Sequence, residues 1–295
     1  MKRGVQRWIV DISAWNFSPS EFTSAMSVLP QQEHSSITRY VKMEDRKRAL
    51  VSRLLQYAVV HEVFGIPFDK IMIKRTVEGK PYLELDKIGH EFPNFNFSVS
   101  HHGDFVAIAS EPLCLVGLDI VSHVLPVKET IPEFIEHLSP YFSSTEWSKI
   151  TNCGTCDNML EELYRYWSLK EAFVKAIGSG LGYSLDAVEF HHCNWTNISL
   201  KIHGKEVRHW RFWHFVLRKR HYVSIAWGHP HMASESYKKA LGWIDFEEDE
   251  YNMGFDLPDA NFKLKTIEQI IPNCLVLECN QSLRIISMVG NFSTT

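Results

Sequence analysis

A carboxylate within an apolar helix face is the feature that most restricts how this chain can fold. Residues 158–177 have the periodicity of one long helix, which Gly178 ends. At about 100° per residue, its apolar side chains form one stripe, namely Leu160, Leu163, Tyr164, Trp167 and Val174. Glu171 lies in the middle of that stripe. A buried, unpaired carboxylate is costly, so either a positive charge such as Lys175 lies opposite it, or Glu171 forms a partly exposed ion pair at the edge of the stripe.

A second acidic residue lies in an equally apolar strand. Asp119 is the only charged residue of the segment 115–121. Taken alone, either acid is typical of a strand edge or of a satisfied hydrogen bond. Taken together, a strand acid and a helix acid can hold a hard divalent cation, because Mg²⁺ prefers oxygen ligands and often takes only one or two carboxylates, with substrate phosphate and water completing its shell. Asp119 and Glu171 therefore form a candidate magnesium site.

The order of helix and strand patterns predicts an α+β fold. A strand over 8–13 and a long helix over 43–63, ended by Gly65, come first. Strand patterns then cover 71–75, 81–85, 95–100, 105–110 and 113–121. After the helix over 158–177, strand patterns cover 183–190, 198–203, 209–217 and 221–227. A long helix, a short loop and a run of strands thus occur twice, which indicates two similar α/β subdomains.

The same pattern predicts the division of the chain. We expect an N-terminal subdomain over 1–112, a C-terminal subdomain over 113–229 and an appendage over 230–295. The pattern does not determine how ordered the appendage is, since it contains the acidic run Glu247–Glu250 and regains apolar character only over 266–271 and 274–289.

Composition narrows the class of protein. No segment reaches the ~20 apolar residues of a membrane span, and the N-terminus lacks the apolar run of a signal peptide. We therefore expect a soluble, cytoplasmic protein whose six cysteines are mostly reduced. The net charge of −4 lacks the strong basic balance of a nucleic-acid binder, although Lys and Arg exceed Asp and Glu over residues 1–80, which favours an anionic ligand.

Two segments have residues suited to phosphate. Residues 74–81 form a basic turn that includes Arg75 and Lys80, and residues 98–103 end a strand in hydroxyl and imidazole side chains, including Ser100 and His101. Arg and Lys are the usual partners of phosphate. The basic turn is equally typical of a solvated hairpin, and His101 is equally typical of a core histidine that donates to a carbonyl.

Several of these segments stand in the order and spacing of a known family. Gly117-Leu118-Asp119, residues 167–175 with the pattern Trp-x-x-Lys-Glu-x-x-x-Lys, Gly79-Lys80-Pro81 and Ser100-His101 resemble the signature segments of 4′-phosphopantetheinyl transferases. The resemblance covers roughly residues 8 to 228 and is to the large, monomeric type, whose two subdomains are related by pseudo-twofold symmetry with the active site at their interface.

The resemblance implies a reaction and assigns residues to it. Enzymes of this family transfer the 4′-phosphopantetheine arm of coenzyme A to a serine of an apo acyl or peptidyl carrier protein and release adenosine 3′,5′-bisphosphate. By similarity, Asp119 and Glu171 hold Mg²⁺, Glu171 also accepts the serine proton, and Lys175 contacts the phosphates. Residues that grip the nucleotide and 3′-phosphate end of coenzyme A are, by the same similarity, Arg75, Lys80, Ser100 and His101.

Two positions depart from the family pattern. Many relatives have a third acid two residues after the aspartate, where this chain has Val121, so water or substrate has to supply that metal ligand. An upstream arginine that the family uses on the nucleotide aligns with Ser35, and either Arg39 or Arg53 is a candidate substitute.

Other interpretations compete with this one. Cys153 and Cys156 have the spacing of zinc ligands, but the run 191–193 offers no spaced second pair. The glycines of 178–182 follow a helix instead of opening one, the reverse of a dinucleotide-binding loop, and the aromatic segment 210–215 alternates as a half-buried strand does. The main alternative is a binding protein that has kept the fold and lost transfer activity, against which the intact Asp119, Glu171 and Lys175 argue.

Overall fold

The computed structural model describes residues 1–84, 92–242 and 260–271 and confirms the α+β class. Its helices are α1 Pro19–Ser27, α2 Gln31–Thr38, α3 Met43–Phe64, α4 Ile131–Leu138, α5 Ser144–Thr151, α6 Cys156–Ile177, α7 Glu235–Leu241 and α8 Ile267–Ile270. Its strands are β1 Gln6–Asp11, β2 Ile73–Arg75, β3 Pro81–Leu83, β4 Asn96–His102, β5 Phe105–Glu111, β6 Leu115–Ser122, β7 Val188–Cys193, β8 Thr196–Ile202, β9 Lys205–Val207, β10 Trp210–Leu217, β11 His221–Gly228 and β12 Lys263–Leu264.

The two halves of the chain repeat one arrangement. In the first half, β5 lies between β1 and β4 in an antiparallel sheet that packs on α3, and β12 extends this sheet beside β1. In the second half, β11 lies between β6 and β10, and α6 packs on β6 and β11. The hairpins β2–β3 and β7–β8–β9 follow the long helix of each half. The chain therefore contains two similar subdomains.

Both long helices are ended by glycine, as the sequence predicts. α3 and α6 each span 22 residues. Gly65 and Gly178 follow them with φ of 71° in the left-handed region, and each donates its N–H to the carbonyl of the residue four before it. Glycine adopts this conformation without the steric cost that a Cβ brings, so it terminates a helix at a defined residue.

Side chains, not backbone pairing, join the two sheets. The N–H groups of β6 that point away from β11 donate to alternate side chains of β4 along its whole length. The four pairs, donor first, are Val116 to Asn96, Leu118 to Ser98, Ile120 to Ser100 and Ser122 to His102, at 3.0–3.2 Å. The strict polar alternation of 94–100 predicts a half-buried strand, and the structure gives it a second role. The polar side chains accept hydrogen bonds from the backbone N–H groups at the edge of a neighbouring strand.

One predicted strand is wrong at its start. The segment 183–190 follows a short 3₁₀ turn over Gly180–Gly182 and contains another over Leu185–Ala187, so that β7 begins only at Val188. The physical reason is the buried Lys170 of α6, whose ammonium takes the carbonyls of Leu185 and Val188 as acceptors and forms an ion pair with Glu146 at 2.7 Å. The backbone turns toward this charge before it joins the sheet.

Part of the segment 230–295 folds against the rest of the molecule. α7 packs beside the end of α6, and β12 and α8 lie along β1 and α3. The acidic run Glu247–Glu250 and the apolar segment 274–289 lie outside the described residues. Within the described ranges, none of the helices combines the length and the apolar character needed to cross a membrane.

Candidate active site

A glycine brings strand β6 against helix α6. A Cβ built on Gly117 would stand 1.8 Å from the carbonyl oxygen of Ala172 and 2.5 Å from the backbone nitrogen of Ala176, so no other residue fits there without moving the helix. Asp119 lies two residues further along β6 and therefore on the same face. The Gly-x-Asp segment thus works as one unit, in which the glycine permits close approach and the aspartate meets the helix.

Asp119 is the centre of a small buried polar network. Its Oδ1 accepts from the Oγ of Ser100 at 3.0 Å and pairs with Nζ of Lys175 at 2.5 Å, while the ammonium also lies 3.0 Å from that serine oxygen. Asp119 is 5% exposed and Ser100 is likewise buried. Three residues that the sequence analysis selected, from β4, β6 and α6, therefore meet at the junction of the two halves.

Glu171 lies beside this network without joining it by a hydrogen bond. Within the described residues, its Oε1 is buried and has no hydrogen-bond partner. Burial raises the pKa of Glu171 and the charge of Asp119 raises it further, whereas Lys175 lowers it. The expected pairing of Glu171 with Lys175 is wrong in its geometry, because the ammonium bonds to Asp119 on the neighbouring strand and influences Glu171 only through its field.

The two acids fit a divalent cation. An orphaned carboxylate oxygen beside a second carboxylate is the donor chemistry that Mg²⁺ takes. Throughout the described parts of the chain, no group of three His, Cys, Asp or Glu residues is placed to hold a metal ion, so any remaining ligands would come from substrate and water.

A cleft of about 260 Å³ opens beside the acids. The hairpin β2–β3 forms one wall with Arg75 and Lys80, β4 contributes Ser98, and α6 contributes Glu171 and Lys175. The cleft is thus lined by both halves of the chain, with cations and carboxylates facing one space.

Lys80 is the most unusual cation of the cleft. It is 7% exposed, and its ammonium donates to the carbonyl of Val116 at 3.0 Å and lies 5.2 Å from the centroid of the Tyr237 ring. Burial, with a smaller contribution from Lys175, lowers the pKa of Lys80 to about 7. An anion bound in the cleft would supply a negative charge that stabilises this buried ammonium.

Two further residues predicted to bind phosphate, Arg75 and His101, have exposed side chains. Arg75 is exposed and its guanidinium donates to the carbonyl of Gly79 at 2.9 Å. His101 is exposed at the end of β4 and interacts electrostatically with Lys175 and Arg48. Neither contacts Asp119 directly within the described hydrogen bonds and ion pairs.

The sequence analysis missed two contributors to the cleft. Ser98 belongs to the segment 98–103 that is predicted to suit phosphate but is not selected as a site residue, and it lines the cleft and accepts from the N–H of Leu118. Tyr237 lies in the segment that was described as an appendage, and it contacts Lys80. The only sequence signal for the latter is Ser234, which caps the short helix α7.

Comparison with known proteins assigns this architecture to a class. Residues 13–113 match the family model for the N-terminal part of 4′-phosphopantetheinyl transferases, and residues 115–226 match the model of the 4′-phosphopantetheinyl transferase superfamily. The chain belongs to the 4′-phosphopantetheinyl transferase superfamily, as the resemblance of its motifs predicts.

Curated relatives carry more specific names. The chain is 34% identical over 232 residues to the L-aminoadipate-semialdehyde dehydrogenase-phosphopantetheinyl transferases of Rattus norvegicus and Homo sapiens, an overlap that covers 76% of this chain and 75% of each relative. It is 31% identical over 247 residues to a phosphopantetheinyl transferase of Thraustochytrium sp., with 81% of this chain and 83% of the relative covered.

Proposed function

We propose that this protein transfers the 4′-phosphopantetheine arm of coenzyme A to a serine of apo acyl or peptidyl carrier proteins, in a magnesium-dependent reaction that releases adenosine 3′,5′-bisphosphate. The observation that carries the proposal is the junction of the two halves, where Glu171 and Lys175 line a cleft with a cationic wall and Asp119 pairs with Lys175. Family membership supports the same reaction.

The reaction replaces a phosphoanhydride bond of coenzyme A by a phosphoester bond to the carrier serine. The carrier serine Oγ attacks the phosphorus that bears the pantetheine arm, the bond from that phosphorus to the bridging oxygen breaks, and the bridging oxygen leaves with adenosine 3′,5′-bisphosphate. Such a transfer needs charge neutralisation, alignment of the attacking and leaving oxygens and a base for the serine proton.

The residues of the site divide this work. Mg²⁺, held by carboxylate oxygens of Asp119 and Glu171, would neutralise charge on the pyrophosphate. Glu171 accepts the proton of the carrier serine, directly or through a water, since its free oxygen has no other partner within the described residues. Lys175, which Asp119 and Ser100 hold in place, offsets the charge that develops on the leaving phosphate.

The cationic wall binds the other end of coenzyme A. Lys80 and Arg75 on the hairpin, with Ser100 and His101 at the end of β4, bind the nucleotide and its 3′-phosphate. Arg53 and Arg39 are close enough to Arg75 for their charges to lower its pKa, so both remain candidates for the arginine that the family has at the position of Ser35. Arg53 is already engaged, because it pairs with Glu33 at 2.7 Å.

Three further proposals concern organisation. Residues 1–112 and 113–229 act as the two subdomains and 230–295 as an appendage to them. The enzyme acts as a monomer, since one chain supplies both walls of the cleft. It works in the cytoplasm, where the free cysteines Cys114, Cys153, Cys156 and Cys193 would stay reduced.

A mass measurement tests the proposed function. The full chain is incubated with coenzyme A, MgCl₂ and an apo carrier protein, and the carrier is expected to gain the mass of one phosphopantetheine group. A parallel incubation with a carrier whose acceptor serine is replaced by alanine should show no gain. Binding of coenzyme A without any gain in mass would instead establish the alternative, an inactive binding protein on the same fold.

A further inference from the structure

The short helix α7 lies against both walls of the cleft, although it is outside both family-model matches. It spans Glu235–Leu241, and Ser234 caps its N-terminus by accepting from the N–H of Tyr237. Tyr237 is fully buried within the core of the second half. A segment that was described as an appendage therefore contributes an anchored side chain to the region of the cleft.

The start of α7 is attached to the end of α6. The N–H of Ser234 donates to the carbonyl of Ile177 at 2.8 Å, and its hydroxyl donates to the carbonyl of Gly178 at 3.1 Å. A Cβ on Gly178 would stand 2.9 Å from the Tyr237 ring, so the glycine that ends α6 also makes room for this side chain. The helix that carries Glu171 and Lys175 thus ends against Tyr237.

The same helix also holds the opposite wall. The hydroxyl of Ser236 donates to Oε2 of Glu78 at the tip of the β2–β3 hairpin. From the hairpin, the Lys80 ammonium lies 5.2 Å from the centre of the Tyr237 ring. α7 therefore bridges the hairpin and α6 across one end of the cleft.

The ring of Tyr237, and not its hydroxyl, is the group that acts on Lys80. Within the described residues, the hydroxyl is buried with no hydrogen-bond partner, whereas the ring face meets a buried ammonium that has one carbonyl acceptor. An aromatic face attracts a desolvated cation through the negative charge of its ring face. Phenylalanine would supply the same face, and leucine would keep the apolar volume without it.

We propose that Tyr237 is a positioning residue for coenzyme A, whose ring holds the Lys80 ammonium at the cleft wall while its helix fixes the hairpin against the end of α6. This inference rests on the proposed function, because it assigns to Lys80 a phosphate of coenzyme A. Tyr237 itself touches neither the substrate nor the reacting atoms.

The test compares two substitutions at one position with a matched control. Coenzyme A binding to the full chain is measured by titration calorimetry for the wild type, Tyr237→Phe, Tyr237→Leu and Tyr166→Leu. Tyr166 is an equally buried tyrosine of the same core, but it contacts His192 and Trp195 instead of a cleft residue. The KM for coenzyme A and kcat are then measured by carrier modification, with thermal unfolding to confirm that each variant is folded.

The expected result is a split between affinity and turnover. Tyr237→Leu should raise the Kd and KM for coenzyme A roughly three- to tenfold, with kcat at saturating coenzyme A unchanged. Tyr237→Phe should restore wild-type affinity, and Tyr166→Leu should lower the unfolding temperature without changing the Kd. Equal loss of affinity in Tyr237→Phe and Tyr237→Leu, wild-type affinity in Tyr237→Leu, or the same loss in Tyr166→Leu would each overturn the proposal.

Failure of the proposed function gives a different result. If the wild type binds coenzyme A but modifies no carrier, the transferase proposal fails while the calorimetric comparison of the variants still tests Tyr237. If the wild type does not bind coenzyme A, both proposals fail. The two inferences are thereby separated by measurements on the wild-type chain.

Discussion

The two halves of the molecule repeat one arrangement, yet within the described residues the two acids and the lysine proposed for catalysis all belong to the second half. Counting back from the glycines that end α3 and α6, Ala58 corresponds to Glu171 and Glu62 to Lys175. In the second half, Asp119 of β6 pairs with the fourth residue of β11. At the corresponding place in the first half, Trp8 of β1 pairs with the fourth residue of β5. Trp8 therefore takes the place of Asp119, Ala58 that of Glu171 and Glu62 that of Lys175.

The space beside these counterparts is a cleft that a later segment of the chain helps to line. β12 pairs in parallel with β1, so that Trp8 is opposite Lys263, and Lys265 places its ammonium 5.1 Å from the Trp8 ring. Glu62 borders the same space as Glu268 of α8. The repeated scaffold thus has a cleft at the corresponding place in each half, of which one is lined for anion chemistry and the other is lined in part by residues 265–271.

Removing the charge of Glu171 is the strongest way to test this difference between the halves. Glu171→Gln keeps the shape of the side chain and removes the proposed metal ligand and base, so we expect kcat for carrier modification to fall roughly 10²- to 10⁴-fold with unfolding unchanged. Glu62→Gln, in the other half, should leave kcat at the wild-type value. Unimpaired turnover in Glu171→Gln would remove this residue from the mechanism.

Filling the contact between β6 and α6 should have the next largest effect. In Gly117→Ala, the new methyl group collides with the Ala172 carbonyl, and we expect unfolding in urea to become easier by about 1–3 kcal/mol or more, together with loss of transfer activity. The control is Gly182→Ala, because a Cβ at Gly182 meets nothing within 4 Å. A Gly117→Ala protein as stable and active as this control would show that close approach is not required.

The side-chain junction between the sheets predicts a smaller loss. Ser98→Ala removes the acceptor of the Leu118 N–H and leaves a buried donor unpaired, which should cost about 1–3 kcal/mol of unfolding free energy. Ser199→Ala, at an exposed position of β8, should change stability by no more than about 0.5 kcal/mol. Equal stability of the two variants in urea would mean that the junction does not depend on this hydrogen bond.

The smallest predicted effect is a pH dependence of coenzyme A affinity. Because burial and Lys175 lower the pKa of Lys80 to about 7, the free protein loses this positive charge as the pH rises above that value. Bound phosphate favours the charged lysine, so affinity should fall with rising pH by up to about tenfold per pH unit until the pKa of the complex is reached.

Calorimetry between about pH 6 and about pH 9 measures this dependence. Lys80→Arg should bind with a flatter profile, since arginine stays charged across that range. If both proteins lose affinity in parallel, another group causes the dependence and Lys80 does not change its charge over this pH range.

Local chemistry by itself determined the elements and the selection of residues. Glycines at 65 and 178 end the two long helices because a left-handed residue stops a helix wherever it occurs, and this needs no tertiary contact. The apolar strand around Asp119 and the apolar stripe around Glu171 likewise identified both acids as residues that need a partner. The α+β class and the two similar halves follow from the same periodicities.

Only the tertiary structure decided which partner each residue has. Lys175 is one helical turn from Glu171 in the sequence, yet it bonds to Asp119, because Gly117 lets strand β6 pack closely against helix α6. The buried Lys170 bends the start of β7, and Tyr237 reaches Lys80 from a distant segment. Such contacts depend on how packed elements are oriented, and periodicity along the chain carries no information about that orientation.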